Sequence, residues 1–201
     1  MPVTINGDGT IAGLSNGSLS ADVLTNSTIE TVKLTAAAQS SLKTLSFFNQ
    51  WRLASDASAN FNGTLGASGS GTTWEQVDTY GYSGLGGSMT ESGGIFTFPS
   101  TGIYLIQGVF RVYNGANDTT VNVILSTTTN NSTWNYTAYS SGGNSGNAIN
   151  TTSTSAHIFD VTSTSTHKIR FSSESMGSAS YPHGSSTSTQ SWFTVLKLAE
   201  T

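Results

Sequence analysis

Between Gly93 and Tyr113 the apolar and polar positions describe two strands joined by a corner. Ile95 to Phe98 is a short apolar run that ends at Pro99, whose ring fixes φ and removes an N–H, and Gly102 can take the positive φ needed to re-enter a sheet. From Ile103 onward, side chains that alternate across a sheet place Tyr104, Ile106, Gly108, Phe110 and Val112 on one face. Ile103, Leu105, Gln107, Val109, Arg111 and Tyr113 fall on the other. Both faces carry large apolar groups, whereas a strand with one wet face would show a polar row there. The pattern predicts a sandwich strand covered on its outer side by a neighbouring subunit, with Leu105, Gln107, Val109, Arg111 and Tyr113 as the candidate interface. The alternative is a central strand of a monomeric sandwich in which Gln107 and Arg111 extend their polar ends to water.

Further strand-like runs occur near 51–53, 74–80, 120–125, 134–139, 156–161, 167–171 and 191–198, separated by turn-forming residues. Their number and spacing suit an all-β jelly-roll sandwich, and the lack of helical crossovers between them argues against a parallel sheet. Ser68 to Thr72 and Ser140 to Gly146 read as Gly/Ser-rich loops. The helix candidate is Thr31 to Phe48, where Leu34, Ala38, Leu42, Leu45 and Phe48 recur at three- and four-residue steps. It would feed a bundle of three chains or pack on its own sandwich. At the start, Val3 to Leu14 alternates weakly around Gly7-Asp8-Gly9, the pattern of a short hairpin or extended arm. The expected organisation is an arm over 1–25, a short helical or extended linker over 26–46, and a jelly-roll head over 47–201.

Gly94, Phe96, Pro99, Gly102 and Tyr104 resemble the signature strand pair of the trimeric jelly rolls related to tumour necrosis factor and to the globular head of the complement q subunit. Ser191 to Leu198 is similar to that family's closing strand, and His157 to Val161 followed by His167 to Phe171 is similar to its penultimate hairpin. Gln50-Trp51-Arg52-Leu53, Thr73-Trp74-Glu75 and Met89 to Gly93 narrow the resemblance to heads of bacteriophage virion proteins. The resemblance implies a homotrimer on the exterior of a virion, held in the host cytoplasm before assembly. It implies a tail-fibre tip or a capsid fibre or decoration that attaches to the host surface. By the same resemblance the arm docks on other virion proteins, through Val3, Ile5, Ile11 and Leu14. The alternatives are a polysaccharide-degrading enzyme and a non-viral glycan-binding module.

Composition adds a constraint on partners. Only 9% of residues are charged, so the polar surface is built from hydroxyl and amide groups, which suits sugars as well as turn-rich β-structure. A net charge of −4 offers no basic patch for phosphates, so neither nucleic acid nor membrane insertion is expected. Without cysteine there are no disulfides and no thiolate sites. The start carries no secretory pattern and no apolar run reaches about 18 residues, so neither export by that route nor a membrane span is expected.

Candidate chemistry is sparse, and the expectation is a protein that is not an enzyme and needs no cofactor or metal. No Gly-x-Ser-x-Gly elbow supports a nucleophile. Glu75 and Asp78 would point to opposite faces of one strand, each solvated. His157 and His167 would approach across a hairpin, yet two His without a third ligand make a weak metal site. Aromatic residues in Asn-rich surroundings make the best sugar platforms: Trp134, Tyr136 and Tyr139 in one segment, Tyr181 and His183 in another. Trp134 and Tyr136 could instead line one face of a strand and fill the core.

Overall fold

The computed structural model describes residues 4–5, 11–12, 45–82, 84–177 and 179–201. The chain clusters into two compact units, Met1–Thr44 and Leu45–Thr201. In the first, strands β1 (Thr4–Ile5) and β2 (Ile11–Ala12) pair antiparallel, with Ile5 opposite Ile11, a pairing that agrees with the hairpin among the two readings of this stretch. Val3, Leu14 and most of the Thr31 to Phe48 helix candidate lie outside the described residues. Its last residues do not continue a helix, because Leu45 to Phe47 form no regular element and Phe48 opens a strand. Phe48 there pairs with β-structure on two sides, which outweighs a weak helical period.

All regular elements described in the second unit are strands: β3 (Phe48–Leu53), β4 (Gly63–Thr64), β5 (Trp74–Gln76), β6 (Thr90–Ser92), β7 (Ile95–Thr97), β8 (Gly102–Asn114), β9 (Val121–Thr128), β10 (Asn135–Gly142), β11 (Ile149–Val161), β12 (Lys168–Glu174), β13 (Tyr181–Pro182) and β14 (Trp192–Ala199). They form two antiparallel sheets. The first runs β11-β8-β14-β3-β5, with β13 beside the end of β8; the second runs β10-β9-β12-β7-β6, with β4 beside β12. The architecture is a jelly-roll-type sandwich.

The predicted corner between β7 and β8 carries the chain from one sheet to the other. Gly102 makes it with φ +146°, and a Cβ there would lie 2.8 Å from the Ala199 carbonyl oxygen. The segments 156–161 and 167–171, read as a hairpin, are not paired. β11 lies along β8 for its whole length, from Ile149 opposite Asn114 to Val161 opposite Gly102, whereas β12 pairs with β7, β9 and β4 in the other sheet. This link is another crossing between the sheets. β11 also begins well before Ala156, because the ladder to β8 recruits a Thr/Ser stretch that has no apolar alternation of its own.

Between the sheets lies an aromatic core. Trp74 packs against Phe96, Phe171 and Phe193 with ring centroids 5.6, 5.7 and 5.2 Å away, and its indole N–H donates to the Leu65 carbonyl at 2.8 Å. The β8 face of Tyr104, Ile106, Phe110 and Val112 closes this core as the alternation requires. Gly108 on that face makes room for rings: a Cβ would sit 2.7 Å from a Phe110 ring carbon and 3.3 Å from one of Phe171.

Strand β5 is shorter than expected, ending at Gln76. Glu75 is therefore not left to free solvent, while Asp78 remains largely exposed, as expected. Both reach the fully buried Arg52, Glu75 Oε1 at 2.7 Å from Nε and Asp78 Oδ1 at 3.0 Å from Nη2. Thr79 Oγ1 at 2.8 Å and the Ser186 carbonyl complete the guanidinium's partners. A buried charge is tolerable only with such partners, and the set pins two loops to β3.

Candidate functional surfaces

The candidate residues fall on opposite sheets. Trp134, Tyr136 and Tyr139 belong to the outward face of β9, β10 and β12. Trp134 is half-buried just before β10, and Tyr136 and Tyr139 are 53% and 51% exposed. None fills the core. Three residues apart, the two tyrosines would point to opposite sides of a regular strand. A β-bulge between Tyr136 and Ala138 inserts one residue and turns both outward. Their rings meet edge to face at 6.1 Å.

Arg170 on β12 completes this surface. Its guanidinium carbon lies 4.3 Å from the centre of the Trp134 ring, a cation–π contact. Cross-strand pairing sets Arg170 beside Ser126, which in turn faces Tyr136. One rung along, Tyr139, Ile124 and Ser172 are aligned in the same way, and Ile124 is fully buried beneath this group rather than in the main core. Burial lowers the Arg170 pKa from its ordinary value, with Tyr136 partly opposing the shift. An open cleft of about 230 Å³ runs between Asn62, Thr64, Tyr136, Arg170, Ser172 and Glu174. The alternation Lys168, Arg170, Ser172, Glu174 marks these side chains as outward in the sequence, yet nothing there ties Arg170 to Trp134.

Tyr181 and His183 lie instead at the far end of β8 on the first sheet. Tyr181 pairs with Tyr113, the rings stacking at 5.2 Å, and the His183 amide donates to the Arg111 carbonyl at 2.8 Å. This candidate sugar platform is thus pinned to β8, and both side chains are half-buried. His183 Nδ1 lies 3.1 Å from Asp56 Oδ1, and Nε2 lies 2.7 Å from Asn150 Oδ1. Both ring nitrogens are engaged, which fixes the imidazole as an edge against Tyr181. The Tyr181 hydroxyl pKa is raised, first by burial and then by the charges of Asp56 and Tyr113. Asp56 and Asn150 join this group from distant segments that carry no motif.

The outward face of β8 holds the five expected interface residues: Leu105, Val109, Arg111 and Tyr113 are half-buried and Gln107 is exposed. Register extends it into an apolar row across four strands, Ile158, Leu105, Leu196 and Phe48. Ile158 at the end of the row is 60% exposed. Trp192 lies beside Val109 on the same face, and Gln50, Thr194, Gln107 and Ala156 form the rung between. Arg111 is occupied, Nη1 donating to Gln190 Oε1 at 2.7 Å.

His157 and His167 do not face each other across a strand pair. They pack on Phe159 with ring centroids 6.2 and 5.6 Å away. His157 is held below its ordinary pKa by burial.

No family model matches the sequence, and no curated protein matches it. Solved structures do share the fold. The crystal structure of murine APRIL superposes with a TM-score of 0.51 at 14% identity, covering 75% of this chain and 99% of that one. The Eiger TNF of S. frugiperda superposes with a TM-score of 0.54 at 12% identity, covering 79% of this chain and 96% of that one. The shared feature is the TNF-like jelly roll, and at such identities it is a likeness of fold.

Proposed function

We propose that this TNF-like jelly roll is the exposed head of a short homotrimeric appendage on a bacteriophage particle, and that it attaches to host-surface glycans. The observation that carries the reading is the division of labour between the two sheets. One outward face bears the apolar row from Ile158 to Phe48, which suits burial against copies of the same chain. The opposite sheet turns Tyr136 and Tyr139 to the medium beside Trp134 and Arg170, where ring faces and neutral polar groups suit sugars. Trimeric display, repeated over a particle, raises the effective concentration of weak sites enough for adhesion. The virion setting rests on the resemblance of the head and arm motifs to phage virion proteins, with the arm as the docking segment.

A panel of immobilised host-surface glycans tests the adhesive part. The protein is expected to bind members of the panel, and Tyr136→Ala with Tyr139→Ala to lose that binding while keeping the melting temperature. Retained binding in the double variant overturns the assignment of this face. Reconstruction of the particle, with density for the head at the tail or on the capsid, tests the virion placement, and its absence from purified particles overturns it.

A further inference from the structure

The turn from Thr79 to Tyr82 carries a residue that its own geometry disfavours. Tyr80 has φ +56° and Gly81 φ +78°, and the Tyr82 amide donates to the Thr79 carbonyl at 3.4 Å, the pattern of a type I′ turn. Positive φ at the first central position is normally left to Asn, Asp or Gly, because a Cβ crowds the following carbonyl there. Packing could offset that cost. Tyr80 does not pack: it is 90% exposed, and neither its ring nor its hydroxyl has a partner among the described residues.

The groups around it are held. Asp78 and Thr79 bond to the buried Arg52 guanidinium, and the Tyr82 hydroxyl accepts from the Gln50 amide at 2.9 Å. Beside the turn is open space, since a Cβ on Gly81 would meet nothing within 4 Å beyond its chain neighbours. A tyrosine offers a large contact at little conformational cost, and a base already ordered lowers the cost of binding further. Strain that serves no contact within the chain points to a contact outside it.

The position of the turn says with what. Phe48, Gln50 and Arg52 alternate onto the outward side of β3, opposite Leu196, Thr194 and Trp192, so the groups that hold the turn set it at the outward edge of the first sheet. Register also carries the apolar row one position further at that edge. Phe48 bridges to Leu85, which is 45% exposed on the same side, and the Tyr82 ring lies 6.2 Å from that of Phe48. The row from Ile158 to Leu85 holds no charge, and the turn stands at its end. From this we infer that Tyr80 is an anchor between copies of this chain, covered by the neighbouring copy that buries the row. The inference rests on the self-assembly reading above and names a contact residue for it outside β8.

The test is chemical protection in the full chain. Tetranitromethane nitrates accessible tyrosines, and fragment mass spectrometry reads each ring; the exposed Tyr136 and Tyr139 on the opposite sheet serve as references. Between a concentration at which the chain is single and one at which it is assembled, nitration of Tyr80 is expected to fall severalfold while the references hold. Tyr80→Asn, which suits the turn, should raise the midpoint concentration of assembly about tenfold or more. Measured on the single chain, the same variant should melt about 2–4 °C higher, because the strain is relieved. Equal nitration of Tyr80 in the single and assembled protein overturns the inference and leaves the assembly standing. So does a Tyr80→Asn variant that assembles like the parent. A lower melting temperature of that variant as a single chain overturns it too, since Tyr80 would then support its own fold. A parent that stays single at every concentration removes the inference together with the trimer.

Discussion

Leu105→Asp separates folding from assembly. Leu105 points away from the core, between Ile158 on β11 and Leu196 on β14, so an aspartate there leaves the Trp74–Phe193 packing intact. Within one chain the cost is the poor strand preference of Asp, under about 1 kcal/mol. In the proposed trimer each half-buried Leu105 is covered fully, and since burying a whole leucine side chain contributes about 1.5–3 kcal/mol, completing the burial is worth about half of that, hence about 2–5 kcal/mol over three copies. That lowers the trimer association constant by about two to three powers of ten. Because the midpoint concentration of a three-body assembly varies as the inverse square root of that constant, it should rise by about ten- to thirtyfold. Sedimentation velocity across a dilution series, with circular dichroism to show the fold retained, reads both effects. A parent protein that sediments as a monomer at every concentration refutes the reasoning. So does a variant that assembles like the parent.

Other expectations test the fold and its titration. Trp74→Ala should cost about 3–5 kcal/mol in urea unfolding, since it empties the centre of the aromatic core and leaves the Leu65 carbonyl without its indole partner. Gly102→Ala should cost about 1–3 kcal/mol, because the residue holds φ +146° against the Ala199 carbonyl. Gly93→Ala, at φ +60° with nothing within 4 Å of the added Cβ, should cost less; equal losses would remove the steric account of the corner. His157, whose folded-state pKa lies below its ordinary 6.5, takes up protons more readily in the unfolded chain. Stability should therefore fall as the pH drops through 6.5, and His157→Gln should flatten that slope when denaturation is followed between about pH 5 and about pH 8.

What was legible in the chain depended on local rules. The alternation from Ile103 to Tyr113 assigns every β8 side chain to its correct face, because period two needs no partner to be read. Pro99 and Gly102 mark the corner for the same reason. Features that depend on distant pairing were not legible. Ile149 to Ser155 is a run of mostly Thr and Ser that becomes strand only because β8 offers a ladder. The bulge that brings Tyr136 and Tyr139 to one side inverts the parity that alternation assumes. Glu75 looks solvated until the buried Arg52 is seen to hold it, and Asp78, exposed as expected, reaches the same guanidinium. The candidate aromatics were named from composition, but their division between two sheets and the partners Arg170, Ser126 and Asn150 follow from register, and Asp56 from a loop contact with His183.

The pairing of β3 with β14 places the head's first and last strands side by side. Leu196 faces Phe48, and the Lys197 amide donates to the Phe47 carbonyl at 3.1 Å. Entry and exit therefore share one rim of the sandwich, whereas β8 runs about 33 Å from Ile103, beside that rim, to Tyr113. The head can be rewired covalently without disturbing its sheets: a few glycines would bridge the rim, and new ends could be opened in the 143–148 turn between β10 and β11. Such a permutant would hang from its opposite pole, so comparing its binding with the parent's would report which pole carries the proposed attachment.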